Sequence, residues 1–293
     1  MEKIDFLSED ELKMTGLLYN SQDKTNKVIL AVHGMTSDCF KERDAIFASL
    51  ANKENIDYFC FNNRGSELVK YITRANDGKK IIAGTSYEDI LEAHNDIIGA
   101  IRKLKELGYK EIYLQGHSLG CTKIIYTYNK MKEENNELIK CIKKVILLSL
   151  VDIPKVLKTY IGEAFDKHLK FAEQKEKEGK INDLMPENNF IQVVSVKTFL
   201  RYMRDNEKID FAKYGTGDEF EKLNNIDVPL FMRWGNNNEM ILQEAKEIVE
   251  ELNKKIKNKN KDIDFIDGAN HGYHGKEIDL GKEIISFIKE SEK

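Results

Sequence analysis

The chain has 293 residues, 41% of them hydrophobic and 33% charged, enough to bury one sizeable core and too apolar for a disordered chain. Lys and Arg number 46 against 50 Asp and Glu, and the net charge of −4 excludes the strong positive field that nucleic acid or an anionic membrane surface attracts. The first twenty residues carry acids early and no stretch reaches the ~18 apolar residues of a membrane span, so neither a signal peptide nor an anchor is expected.

In chain order, "IDFLSED" and "LKMTGLLY" predict an opening antiparallel pair. After it, "KVILAVHGM", "IDYFCFNNRG", "EIYLQG", "KKVILLSLVD", "VPLFMRWG" and "KDIDFIDG" read as short buried strands. Helical patterns lie between most of them, at Phe40 to Lys53, Tyr87 to Leu107, Cys121 to Glu134, Leu242 to Lys257 and Ile278 to Lys289. This alternation predicts an α/β fold whose mostly parallel sheet has helices on both faces. A polar, glycine-punctuated insertion runs from Ser66 to Thr85. A larger one separates Asp152 from Asp227, about 75 residues where such folds ordinarily use ~2–6. Its apolar segment "NNFIQVVSVKTFLRYM" and the prolines Pro154, Pro186 and Pro229 at its entry, middle and exit predict a helical cap. The expected division is a core of residues 1–152 and 227–293, with the cap at 153–226. Within the cap, Phe190, Val194, Phe199 and Tyr202 are expected to govern substrate choice. Cys39, Cys60, Cys121 and Cys141 are scattered without metal-type spacing, as expected of reduced thiols in a cytoplasmic protein.

In an open parallel sheet, ligands bind at the carboxyl ends of the strands, and the informative patches fall there. "GHSLG", residues 116–120, sits where an apolar strand gives way to a helical run. Such a turn holds the Ser118 hydroxyl out into a cleft, and Gly116 and Gly120 let strand and helix approach. At the end of "AVHGM" the backbone N–H of Met35 can join that of Leu119 in facing an oxygen beside Ser118. His33 is read there as shaping the loop. A serine hydroxyl needs a base at neutral pH, and His271 in "IDGANHGYHGKE" follows the last strand at the same edge. His274 is read as lining the site or capping the next helix, and His94 and His168 as surface residues. The H-x-x-H spacing of His271 and His274 lacks a further ligand, so no metal is expected.

"AVHGM", "FNNRG", "GHSLG" and "GANHGYHG" occur in the order and spacing of the alpha/beta-hydrolase superfamily, which the chain resembles over its whole length. "NNRG", "GTSYEDI" and "GHSLGC" resemble a subgroup related to fungal siderophore-ester hydrolases. The resemblance implies an eight-stranded, mostly parallel sheet with a variable cap that sets the substrate. It also implies Ser118 as nucleophile, His271 as base, and Met35 and Leu119 as oxyanion donors. The family usually places an acid two residues beyond the glycine after the seventh strand, where "RWGNNNEMI" has Asn238; Glu239 follows one step later. A neutral amide cannot stabilise the imidazolium that forms when the base takes its proton. Glu239 is the first candidate for the acid, and Asp152, at the end of "LLSLVD", the second.

The expected function is a serine hydrolase that cleaves carboxylic esters of small or medium-sized molecules through an acyl-enzyme, without a cofactor. A thioesterase or acyl-peptide hydrolase would use the same residues. The asparagine-rich "GNNNE" leaves open a small-molecule-binding protein on the same fold, without a competent acid.

Overall fold

The computed structural model describes residues 1–186 and 192–290. Two strands, β1 (Glu2–Leu7) and β2 (Lys13–Tyr19), open the chain as an antiparallel pair, and along β2 buried residues alternate with partly exposed ones. The following strands, β3 (Lys27–Val32) and β4 (Asp57–Phe61), are buried almost without interruption, the mark of strands covered on both faces. Helix α1 (Glu42–Lys53) joins them. Next come a hairpin, β5 (Lys70–Thr73) and β6 (Lys80–Ala83), then helix α2 (Ala93–Glu106), strand β7 (Glu111–His117) and helix α3 (Leu119–Glu133). Strand β8 (Ile142–Leu148) leads into a helical stretch with α4 (Ile153–Ile161), α5 (Phe165–Lys177), α6 (Val196–Met203) and the short α7 (Glu221–Asn224). The chain closes with β9 (Leu230–Gly235), α8 (Ala245–Lys255), β10 (Lys261–Ile266) and α9 (Glu277–Glu290).

The principal sheet has eight strands in the order β1-β2-β4-β3-β7-β8-β9-β10, parallel from β4 to β10. This matches the expected fold class. The Ser66 to Thr85 insertion holds the β5–β6 hairpin, a second sheet that the polar sequence did not announce. Two apolar layers flank the large sheet. One contains Ile97, Ile101, Ile124, Trp234 and Leu252; the other contains Phe47, Tyr58, Tyr113, Ile284 and Ile288. A third cluster lies among α4, α5 and α6, while Phe211, Tyr214, Phe220 and Ile226 join the first layer. By packing, therefore, the 153–226 stretch divides: its last part belongs with the sheet.

Strand order reverses at β3, which has β4 on one side and β7 on the other. The loops leaving β3 and β7 diverge there and open a crevice at their carboxyl ends. The loop after β4 is anchored by Arg64, whose side chain is 5% exposed and reaches Asp96 at 2.7 Å, Asp10 at 2.8 Å and Glu92 at 3.1 Å. Asp96 also accepts the Arg64 backbone N–H at 2.7 Å. Among the described residues, no helix is long and apolar enough to cross a membrane.

Asp96 is fully buried, so removing its cation leaves a charge without compensation. Arg64→Gln is expected to cost about 3–5 kcal/mol of stability, measured as a lower urea midpoint with an unchanged denaturant slope. A loss below about 1 kcal/mol would mean that the network acts as exposed ion pairs do.

Candidate active site

Ser118 lies between β7 and α3 with φ 54° and ψ −124°, a backbone conformation L-residues rarely adopt. Its N–H donates to the Leu148 carbonyl at 2.8 Å, which fixes the turn against β8. Space explains the glycines: a Cβ on Gly120 would stand 2.2 Å from the Val32 carbonyl oxygen, and one on Gly116 would stand 2.8 Å from the backbone of Gly120 and Cys121. Gly34 passes so close that its Cβ would meet Ser118 Cβ at 3.0 Å, which brings the loop after β3 alongside the serine. Among the described residues neither the Met35 nor the Leu119 N–H has a backbone partner.

His33 keeps that loop in shape. Its Nδ1–H donates to the Gly34 carbonyl at 2.9 Å and its Nε2 accepts the Asn63 N–H at 3.3 Å. Burial, with Lys123 nearby, pushes its pKa down to about 3, so the ring stays neutral.

His271 sits in the loop after β10, 19% exposed, and its Nδ1 is hydrogen-bonded to Glu239 Oε1. The Glu239 carboxylate is 2% exposed. It accepts from the Gly235 N–H and the Ser149 hydroxyl, each at 2.9 Å, and from the Met240 N–H at 3.1 Å. The asparagines before it join the two loops. Asn237 N–H donates to the Ala269 carbonyl at 2.9 Å, Asn236 accepts the Gly268 N–H at 2.7 Å, and Gly235 lies where any Cβ would strike Ala269. His117 ties the loop of His271 to the serine turn by donating from Nε2 to the His271 carbonyl at 2.7 Å. Burial first, and the Arg43 charge second, hold His117 well below the ordinary histidine range.

Ser118 and His271 open into one cavity of about 540 Å³. Gly34, Met35 and Thr36 form part of its wall, Lys41 and Arg43 another, and Val151, Ile153, Val156 and Leu157 an apolar side. No three His, Cys, Asp or Glu side chains among the described residues are grouped to hold a metal ion.

No family model and no curated protein sequence matches the chain. Solved structures do. A siderophore hydrolase, EstB from Aspergillus fumigatus, superimposes with a TM-score of 0.72 at 11% identity, over 99% of this chain and 97% of that one. Est1E from Butyrivibrio proteoclasticus, with ferulic acid bound, gives 0.67 at 15% identity, over 97% and 98%. The Pyrococcus furiosus esterase PF2001 gives 0.60 at 17%, over 98% and 90%.

The chain has the alpha/beta-hydrolase fold.

On this alpha/beta-hydrolase fold the remaining expected residues fall as follows. Asn238, where the resemblance implies an acid, takes a left-handed φ of 52°, and the carboxylate that meets His271 is that of its neighbour, Glu239. Asp152, the second candidate, does not approach His271: its Oδ1 accepts the Lys155 N–H at 3.1 Å and caps α4. His274 is exposed at the cavity mouth, 3.7 Å from Glu277 at the start of α9. Of the two histidines read as surface residues, His94 is half-buried, its Nδ1 bonded to the Leu91 carbonyl at 2.6 Å. His168 is buried at 8%, contrary to expectation, because α5 turns it inward beside Ala172. The cap residues also need correction. Val194, Phe199 and Tyr202 are fully buried in a cluster shared with Ile90 and Leu119 and do not line the cavity; Phe190 lies outside the described residues. The apolar wall comes instead from Val151 and from α4. Ser149 was missed: its φ of 54° and its bond to Glu239 have as their only sequence signal a serine ending an apolar strand.

Burial, with Asp210 nearby, raises the Asp152 pKa to about 6. The folded state then holds a proton that the unfolded chain releases nearer 4, so the charged form costs stability above about pH 6 and ceases to cost it as pH falls toward 4. Asp152→Asn keeps the cap acceptor and removes that charge. It is expected to raise stability by about 1 kcal/mol at pH 7.5, after solvent screening, with the gain shrinking by pH 4.5 in paired urea titrations.

Proposed function

We propose that the protein is a serine hydrolase that cleaves carboxylic esters of small or medium-sized molecules, with Ser118 as nucleophile, His271 as base and Glu239 as acid. The observation that carries this reading is the bond from Glu239 to His271 Nδ1 beside a cavity that also holds Ser118. With Nδ1–H donating to the carboxylate, Nε2 is left with its lone pair, the form a general base needs. On this reading Ser118 Oγ attacks the ester carbonyl and its proton passes to His271 Nε2. The negative oxygen that forms lies against the N–H groups of Met35 and Leu119, where each such donor contributes ~10²–10³ in turnover. Collapse expels the alcohol, protonated by His271, and leaves the acyl group on Ser118. Water, deprotonated by the same imidazole, then releases the acid. Glu239 stabilises the imidazolium present in both halves of the cycle.

The names of the structural relatives support the ester as substrate: two are called esterases or siderophore hydrolases, and Est1E is seen with ferulic acid, a carboxylic acid. A purely binding role was plausible for a chain without an acid. The bond between Glu239 and His271 weighs against it.

Ser118→Ala is expected to abolish both hydrolysis of a p-nitrophenyl ester and labelling by a fluorophosphonate, with little change in melting temperature. Turnover within tenfold of wild type would remove Ser118 as nucleophile. Glu239→Gln should lower turnover by at least ~10²-fold at nearly constant KM, because its role is confined to the transition state. If Asp152→Asn proved the more damaging of the two, the acid would belong at β8.

A further inference from the structure

Arg43 stands at the start of α1, half-buried, in the wall of the Ser118 cavity. Its Nε is shut off from solvent and has no hydrogen-bond partner among the described residues. The other charges on that wall are engaged or exposed. Lys41 lies 3.5 Å from Asp38, Glu277 faces His274 at 3.7 Å, and Glu42 projects to solvent. Asp44, next along the helix, turns inward to accept the Tyr58 hydroxyl at 2.8 Å. The guanidinium as a whole has no hydrogen bond or ion pair among the described residues, and a half-buried cation on a cavity wall without a counter-ion is costly. The charge is also close to the reaction centre: it contributes to keeping His117, the neighbour of Ser118, neutral.

Resting on the hydrolase reading, we infer that the natural substrate is an ester carrying a carboxylate, which Arg43 binds while the other arm lies against Val151, Ile153, Val156 and Leu157. A carboxylate matches the planar donor set of guanidinium, and the pairing is strongest where water is excluded. Val151, Ile153, Val156 and Leu157 give the cavity an apolar part of its lining besides the charged one, so it can distinguish the two ends of such a molecule. Arg43 does not touch the reacting bond. Its contribution is to binding, alike in ground and transition states, and should appear in KM more than in kcat.

The test uses two matched pairs. For a carboxylate on the alcohol side, 4-(butanoyloxy)benzoate is compared with 4-(butanoyloxy)benzamide; reactivity alone favours the amide, whose ring group withdraws electrons more strongly. For one on the acyl side, monophenyl adipate is compared with its terminal amide. In one pair the wild-type protein should prefer the carboxylate by at least ~10-fold in kcat/KM, mainly through KM. Arg43→Gln should shrink that preference to within about twofold. Hydrolysis of the neutral esters with no preference in either pair, or a preference that survives Arg43→Gln, overturns this inference alone. If no ester is turned over and fluorophosphonate leaves Ser118 unlabelled, the hydrolase reading fails and this inference with it.

Discussion

The site depends on a carboxylate that should not be stable where it is. Glu239 is almost wholly buried, and an ion taken out of water must recover its hydration from fixed donors. Two backbone N–H groups, a serine hydroxyl and an imidazole N–H supply them. Those donors come from three places: Ser149 at the end of β8, Gly235 and Met240 around the end of β9, and His271 after β10. The charge therefore holds three strand ends together, and losing it would remove the acceptor that all of these donors share.

Two positive-φ serines lie at the same edge. Ser118 and Ser149 end adjacent parallel strands, and both have φ near 54°. Each conformation turns a hydroxyl away from the strand direction, one into the cavity and the other onto Glu239. The surrounding sheet holds them there. The Ser118 N–H is bonded to the Leu148 carbonyl at 2.8 Å and the Ser149 N–H to the Arg233 carbonyl at 2.7 Å. The reversal of strand order at β3 leaves room above them, and α4 covers part of that room with apolar side chains.

The sheet was legible in the sequence because its central strands, β3, β4, β7, β8 and β9, are mostly apolar runs, and the glycine spacing around Ser118 reports a steric demand that only glycine meets. Glu239 could be named as a candidate but not separated from Asp152. Both follow a buried strand, and what distinguishes them is whether a loop crosses toward β10. That crossing is made by Asn236 and Asn237, whose side-chain and backbone bonds to residues 268 and 269 carry no periodic signal. The same asparagines looked like a sign of a degenerate site. The cap residues were misread for a different reason: apolar residues at helical spacing tell that a helix is covered, not by what, and Val194, Phe199 and Tyr202 are buried in a cluster that also takes in Ile90 and Leu119. Ser149 and the unpaired Arg43 become visible only when positions far apart in the chain are brought together.

The central claim, that Ser118, His271, Glu239 and two backbone donors act as one unit, is tested most directly by a crystal structure of the protein after reaction with a fluorophosphonate. The account predicts a phosphorus–oxygen bond to Ser118 Oγ, the phosphonyl oxygen ~2.7–3.1 Å from the N–H groups of Met35 and Leu119, and His271 still bonded to Glu239. An adduct on another residue, or a phosphonyl oxygen turned away from both N–H groups, would contradict it.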